Sequence, residues 1–515
     1  MRITIAKLES ISSRKIYLPI VILGMLLAAW IQYIQHGWIN PDSVLYFESA
    51  RLFSIGDWQG AVKVFNWPLY SLLIAGVHQI TGLGMQPSAQ LLSVIFFGIT
   101  TFSFIKLIEL AGGNAITMAC GALILFSSQY LVGDVLEMLM RDQGFWAFYL
   151  TALVFFTKFY HSNRLSHALF WQLFIMIATL FRIEAINYLL FLPLVLLFDP
   201  QTDWRNKTTR FIQCHAINIF IAFCIIAMLL IFQDMTMAHF GRLREVFTTN
   251  LWHEFTQNLR DKSSIMSQRV LGEYLEEFAI PSLLLTFVYV IITKIISATG
   301  LVNLGLLIAT IQSKAQKINH GSLKILQAVA LIAIFNMALI IIKVFVLSGR
   351  YVVAFSLVAM VVASFYFAHL LIQTANPAPS KKHQWFAYGI IVFFALSLIK
   401  NTLPKSEGYH YIQETVAWVK TYNLQNKPVF YDDTRARYYA GVPFDGKWDN
   451  NWEKLNSAIR NKSIFDFEYI VVSYSKKQPE QQKVFAGKLP QYREVKRIYA
   501  EKNKKMMVIY QKYKP

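Results

Sequence analysis

Three carboxylates and two arginines stand beside apolar runs in this chain: Asp42, Glu137 and Asp142, and Arg182 and Arg350. A carboxylate within hydrogen-bond reach of a hydroxyl can take its proton as the oxygen attacks a carbon centre. An arginine presents a planar fork that matches phosphate oxygens and can neutralise a departing phosphate. Such groups on one membrane face describe a site for a hydroxyl acceptor and an anionic donor. Each also has a plainer reading. Asp42 could cap the helix that starts in "SVLYFESARLF", and Glu137 could pair with Arg141 at helical spacing. Arg182 could pair with Glu184, both arginines could snorkel at span ends, and Tyr351 could be an interfacial anchor.

The elements that must hold these side chains are set by composition. The 515 residues are 55% hydrophobic and 15% charged, with repeated apolar stretches of about 17–25 residues, the length a helix needs to cross lipid. The chain therefore reads as a multi-pass membrane protein. Cys120, Cys214 and Cys224 all fall inside apolar stretches, which argues against a disulfide framework or a Cys-rich metal site. The net charge of +19 is spread over loops and the C-terminal region, a pattern that suits cytoplasmic loops and excludes a nucleic-acid surface.

Lys7, Arg14 and Lys15 precede the first apolar run, residues 16–34, so the amino terminus is expected in the cytoplasm and that run is read as a retained span. Further spans are expected at 88–110, 115–132, 143–160, 167–183, 186–199, 211–232, 325–347, 351–373 and 385–403. The block 278–312 must cross an odd number of times, as one crossing with a re-entrant segment or as three short ones. About 11–13 transmembrane helices result. The loops 35–86, 133–142 and 233–277 fall outside. So does the region 404–515, where "KPVFYDD" and "FEYIVVSYS" read as short buried strands and "EGYHYIQETVAWVKTYN" as an amphipathic helix. The expected organisation is a membrane domain, 1–403, followed by a small extracytoplasmic α/β domain, 404–515.

Taken in order, these residues resemble the GT-C class of polytopic glycosyltransferases. The likeness is to its bacterial branch, related to protein O-mannosyltransferases and the lipid A aminoarabinose transferase. "PDSVLYFESARLFSIGDW" supplies the Asp, Tyr, Ala and Gly of that pattern as Asp42, Tyr46, Ala50 and Gly56. "NWPLYSLLIAGVHQITG" is similar to a Pro-Pro-Leu juxtamembrane helix, with Trp67 in place of the first proline. "LEMLMRDQ" is similar to a Pro-Glu-Met loop without its proline. "TLFRIEAINYLLFLPLVLL" and "GRYVVAFSLVAMVVA" are similar to the Arg-x-Glu bend and to the Arg-Tyr opening of a late helix.

The resemblance implies an inverting transfer of a sugar from a polyprenyl-phosphate donor to a glycolipid, polysaccharide or protein hydroxyl at the outer face of a bacterial inner membrane. Asp42 would be the general base, with Glu137 and Asp142 orienting the acceptor or the base. Arg182, Arg350, Tyr351 and Lys63 would hold the donor phosphate, and Trp67, His239 and Arg242 would contact substrate. No cofactor is expected. A divalent cation held by the carboxylates is the less favoured alternative, because arginines alone can neutralise a phosphate. The rivals are a transporter or flippase, which would show related halves and charges at the bilayer midplane, and a non-catalytic glycan-binding relative.

Overall fold

A computed structural model of the chain describes residues 12–35, 39–200, 202–231, 251–313, 318–375, 380–404, 410–443, 451–475, 480, 487–500 and 505–513. In chain order the helices are α1 (Ser13–Ile34), α2 (Pro41–Ser54), α3 (Trp58–Val64), α4 (Leu69–Thr81), α5 (Met85–Leu110) and α6 (Ala115–Phe126). After a π-helical turn, Gln129–Val135, come α7 (Asp142–Ser162), α8 (Leu165–Phe181) and α9 (Ala185–Phe191), then α10 (Trp204–Gln213) and α11 (Ala216–Ile231). They are followed by α12 (Leu251–Met266), α13 (Ala279–Thr299), α14 (Leu301–Gln312), α15 (His320–Val344), α16 (Val353–Ala375) and α17 (Lys381–Asn401). The chain ends in α18 (His410–Tyr422), β1 (Val429–Tyr431), α19 (Thr434–Ala440), α20 (Asn451–Arg460), β2 (Tyr469–Ser475), β3 (Tyr492–Tyr499) and β4 (Lys505–Lys512).

The chain is a polytopic α-helical membrane protein with a small C-terminal α/β domain. Among the described residues, six helices are long and apolar enough to cross a bilayer, or seven if α6 and the π-turn, bent by 45°, form one span. The larger number expected from sequence also drew on shorter apolar helices, of which Leu165–Phe181 and Ala185–Leu196 are two. The block 278–312 forms two helices broken at Gly300, whose φ of 87° a side chain would strain. Only the first is long enough to span, which removes the three-crossing alternative.

The residues fall into two compact units. The first holds 1–29, 91–136 and 141–402, and α16 is its centre. In that helix's span 83% of the residues are buried, against 6% for the span ending at Thr299. Small residues such as Ala354, Ala359, Ala363 and Ser364 on α16 let neighbouring helices approach closely. Polar side chains tie it further, with Ser356 Oγ 2.8 Å from Thr299 Oγ1 and Thr310 Oγ1 donating to the Val362 carbonyl at 3.1 Å.

The second unit holds 30–90, 137–140 and 403–515. Its sheet has the order β1-β2-β4-β3, with β1 parallel to β2 and the other pairs antiparallel. Because side chains alternate across a strand, Tyr469 and Val471 join Met507 and Ile509 under α18, while Ile470, Val472 and Tyr474 join Val508 and Tyr510 under α20. Both faces of β2 are therefore covered, which is why "YIVVSYS" reads as a continuous apolar run rather than an alternating one.

Candidate active site

The candidate residues sort between the two units. In the second, Asp42 occupies the second position of α2, after Pro41, which suits a helix start because its missing N–H would be unpaired there anyway. The cap is Asn40. Its backbone is extended, and its side-chain oxygen accepts from the Asp42 amide at 2.9 Å. The capping role that competed with catalysis for the Asp42 carboxylate thus belongs to its neighbour, and an acid in the first turn also suits the helix dipole.

Two further contacts flank Asp42. Ser43 Oγ donates to the Leu139 carbonyl at 3.0 Å, and Asn40 Nδ2 lies 3.4 Å from Met138 Sδ. These pin the start of α2 to the short segment that carries Glu137, so Asp42 and Glu137 stand on contacting stretches of chain. Farther along α2, Tyr46 packs edge-on against Phe65 and Tyr70, and buried Glu48 approaches Arg51 at 3.5 Å and Arg437 of α19 at 3.8 Å.

Lys63 is exposed in the last turn of α3. Trp67 departs from expectation: it is 6% exposed, so its faces are packed against protein and cannot stack on a sugar. Trp58, 60% exposed and edge-on to Phe53, keeps an open face instead.

In the first unit, Asp142 opens α7 and forms an ion pair with Arg182, and its other oxygen lies 4.0 Å from Arg350 Nη1. Arg182 leaves helical geometry at the end of α8, with φ −146° and ψ 123°, and Glu184 follows before α9. The bend lets Glu184 meet the same guanidinium at 3.2 Å and 3.4 Å, while the Tyr351 ring centroid lies 4.5 Å from it. Buried Arg182 is consequently engaged by two carboxylates and a ring. Arg350, with a side chain 32% exposed, is the guanidinium of this cluster that can reach an added phosphate.

This corrects the catalytic role expected of Asp142. Its side chain is 1% exposed and bridges two guanidiniums, so it positions arginines and is shielded from a substrate hydroxyl. Its own position is fixed by two neighbours. Gln143 Nε2 donates to the carbonyls of Leu136, at 3.0 Å, and Val135, at 3.3 Å, at the end of the π-turn. Gly144 lies so close to the Phe181 ring that a methyl group there would collide with it.

His239 and Arg242 lie outside the described residues. Sequence reasoning missed Asn336, which sits inside the apolar run "ALIAIFNMALIII". It accepts a hydrogen bond from Asn187 and donates to the Glu184 carbonyl at 3.2 Å, bracing the Arg182–Glu184 bend. A lone amide in a span was a usable signal, since polar groups there are costly and tend to be functional.

Comparison with solved structures decides the fold. ArnT from Cupriavidus metallidurans bound to undecaprenyl phosphate aligns over 96% of this chain and 98% of its own, with a TM-score of 0.55 at 12% identity. The chain has the GT-C glycosyltransferase fold. The mycobacterial arabinofuranosyltransferase AftD shares this GT-C fold over 96% of the chain at a TM-score of 0.51 and 12% identity, although the chain spans only 41% of AftD. No protein-family model and no curated protein sequence matches. The GT-C likeness is thus one of architecture, at 12% sequence identity.

Proposed function

We propose that the chain is an inverting membrane glycosyltransferase that moves a sugar from a polyprenyl-phosphate donor to a hydroxyl acceptor. The observation that carries this reading is Arg350, a partly open guanidinium held by the buried carboxylate of Asp142. A fixed cation of this kind favours a leaving phosphate, whose charge rises as the glycosidic bond breaks, and it needs no reorganisation at the moment of reaction. The GT-C architecture, shared with a structure that holds undecaprenyl phosphate, makes a lipid phosphate the natural anion.

In the reaction the acceptor oxygen bonds to the anomeric carbon while the bond from that carbon to the phosphate oxygen breaks. The hydroxyl proton passes to the Asp42 carboxylate, and the bonding pair leaves on the phosphate, neutralised by Arg350. Attack opposite the leaving group inverts the anomeric centre. Glu137, on the segment that contacts the start of α2, orients the acceptor. Asp142, Glu184 and Tyr351 keep Arg182 and Arg350 in place. A lipid-linked donor fits an active site on the extracytoplasmic side of a bacterial inner membrane, because it reaches the protein laterally through the bilayer.

The test is direct. Purified protein in proteoliposomes is given a panel of polyprenyl-phosphate-linked hexoses and pentoses, and release of polyprenyl phosphate is followed. Release that depends on Arg350 supports the reading. Absence of release, with and without added glycan acceptors, refutes it.

A further inference from the structure

The π-helical turn Gln129–Val135 is wound more loosely than an α-helix, a form often found at functional sites, and it is tied at both ends. Ser128 caps it by accepting from the Leu131 amide at 3.2 Å, and Gln129 Nε2 donates to the Ser397 carbonyl of α17 at 3.0 Å. At the far end Gln143, the residue after Asp142, donates to the Val135 and Leu136 carbonyls. Tyr130 therefore stands on a segment whose place relative to the Asp142 cluster is fixed.

The ring of Tyr130 is held by two sets of contacts. It packs on the apolar cluster of Ala298, Met337, Ile341, Leu347 and Val352. It also lies against Gly349, where a methyl group would come within 2.6 Å of the Tyr130 hydroxyl oxygen. The next residue is Arg350, so the phenol end of the ring stands beside the backbone that carries the partly open guanidinium. The charges of Asp142, Arg350, Arg182 and Asp134 all act on that hydroxyl. Of the two acids, Asp142 is engaged by both arginines, and Asp134 is exposed on the π-turn. Among the described residues none accepts a hydrogen bond from Tyr130, although a phenol in such surroundings ordinarily has a partner. Phenylalanine would satisfy the apolar contacts equally well, so packing alone does not account for the oxygen.

We infer that Tyr130 is a further ligand of the donor phosphate, its hydroxyl donating a hydrogen bond to a phosphate oxygen held by Arg350. This deepens the transferase reading, on which it rests, by setting a neutral donor beside a cationic one. The two groups do different work. Arg350 neutralises charge, whereas an O–H group aimed at one oxygen fixes orientation, and its hydrogen bond strengthens as that oxygen gains charge in the breaking of the glycosidic bond. Gly349 makes the arrangement possible, because any side chain there would push the ring away from Arg350.

Binding of undecaprenyl phosphate, and of undecaprenol, which lacks the phosphate, to the full-length protein in detergent tests the assignment. The parent should prefer the phosphate. Tyr130→Phe keeps the ring and its packing, so its thermal transition should be unchanged. Its affinity for undecaprenyl phosphate should fall by roughly 10- to 100-fold, the scale of one hydrogen bond to a charged group, while its affinity for undecaprenol stays parental. Parental binding of undecaprenyl phosphate by Tyr130→Phe, or an equal loss for both lipids, would overturn the role of Tyr130. The two readings fail differently. A parent that binds both lipids equally refutes the transferase reading and this ligand with it, whereas a phosphate preference that survives Tyr130→Phe refutes the ligand alone.

Discussion

The side chain of Asn40 accepts a hydrogen bond from the backbone amide of Asp42, so the helix cap and the proposed base are adjacent but separate residues. Substitutions can therefore pull the two functions apart. Asp42→Asn should leave folding and thermal stability intact while transfer drops by about 10²-fold or more, as expected for loss of a general base. Asn40→Ala should cost about 1 kcal/mol of stability and leave most of the turnover per folded molecule. Thermal melts and single-turnover rates of the two variants check this. Near-parental transfer by Asp42→Asn would move the base to Glu137.

Arg182 and Arg350 should respond differently to loss of their forks. Arg350→Lys keeps the charge but loses the bidentate geometry, so donor use should weaken while expression stays normal. Arg182→Met leaves buried Asp142 and half-buried Glu184 with much of their compensation gone, at a cost of about 3–5 kcal/mol. Expression yield and detergent thermal stability should show this loss before activity does.

Gly144 offers a test far smaller than a charge change. Gly144→Ala places a methyl group against the Phe181 ring, next to Arg182, and α7 and α8 must separate to admit it. Such overpacking costs typically about 1–3 kcal/mol. The expected result is a lowered melting temperature together with reduced transfer, because the movement also parts Asp142 from Arg182.

Two adjacent acids give the C-terminal domain opposing pH responses. Burial raises the Asp432 carboxyl well above the usual carboxylate range, and neighbouring Asp433 adds to this despite hydrogen bonds from the Ser473 amide. Burial also opposes ionisation of Asp433, but Arg435 holds that group below its ordinary value. Between the unfolded carboxylate range and the raised value, the folded domain binds more protons at Asp432 than the unfolded chain does, so this contribution to stability falls as pH rises. The Asp433 contribution has the opposite sign and is lost as pH falls through its depressed value. Asp432→Asn should therefore raise the melting temperature at neutral pH and flatten its decline above about pH 4. A variant whose melting temperature falls between pH 5 and pH 7 as steeply as the parent's would contradict this.

What could be read from sequence follows from how strongly each feature is dictated locally. The apolar runs, the strands "KPVFYDD" and "FEYIVVSYS" and the helix over residues 410–422 announce themselves through period and burial, and the structure has them. The order of Asp42, the Arg-x-Glu bend and Arg350 along the chain pointed to the GT-C architecture. Three-dimensional partnerships were not legible. Asp142 looked like a free acid because Arg182 and Arg350 are distant in sequence. Trp67 looked like a sugar platform because an indole between two apolar runs gives no sign of whether its faces are covered. Asn40 was passed over as the cap because the helix begins at a proline two residues earlier than the apolar spacing suggested.

The unit that carries Asp42 is assembled from three separate stretches of chain, 30–90, 137–140 and 403–515. During synthesis α2 leaves the ribosome early, yet Arg437, which faces its buried Glu48, and Tyr438, whose ring lies 5.6 Å from Phe47, are made near the end. Until then the inward face of α2 has no α19 to cover it, and closing so long a loop is slow. The proposed base thus sits on a helix that reaches its final packing only after residues 403–515 have been made and folded, so incomplete chains hold the acid without those surroundings.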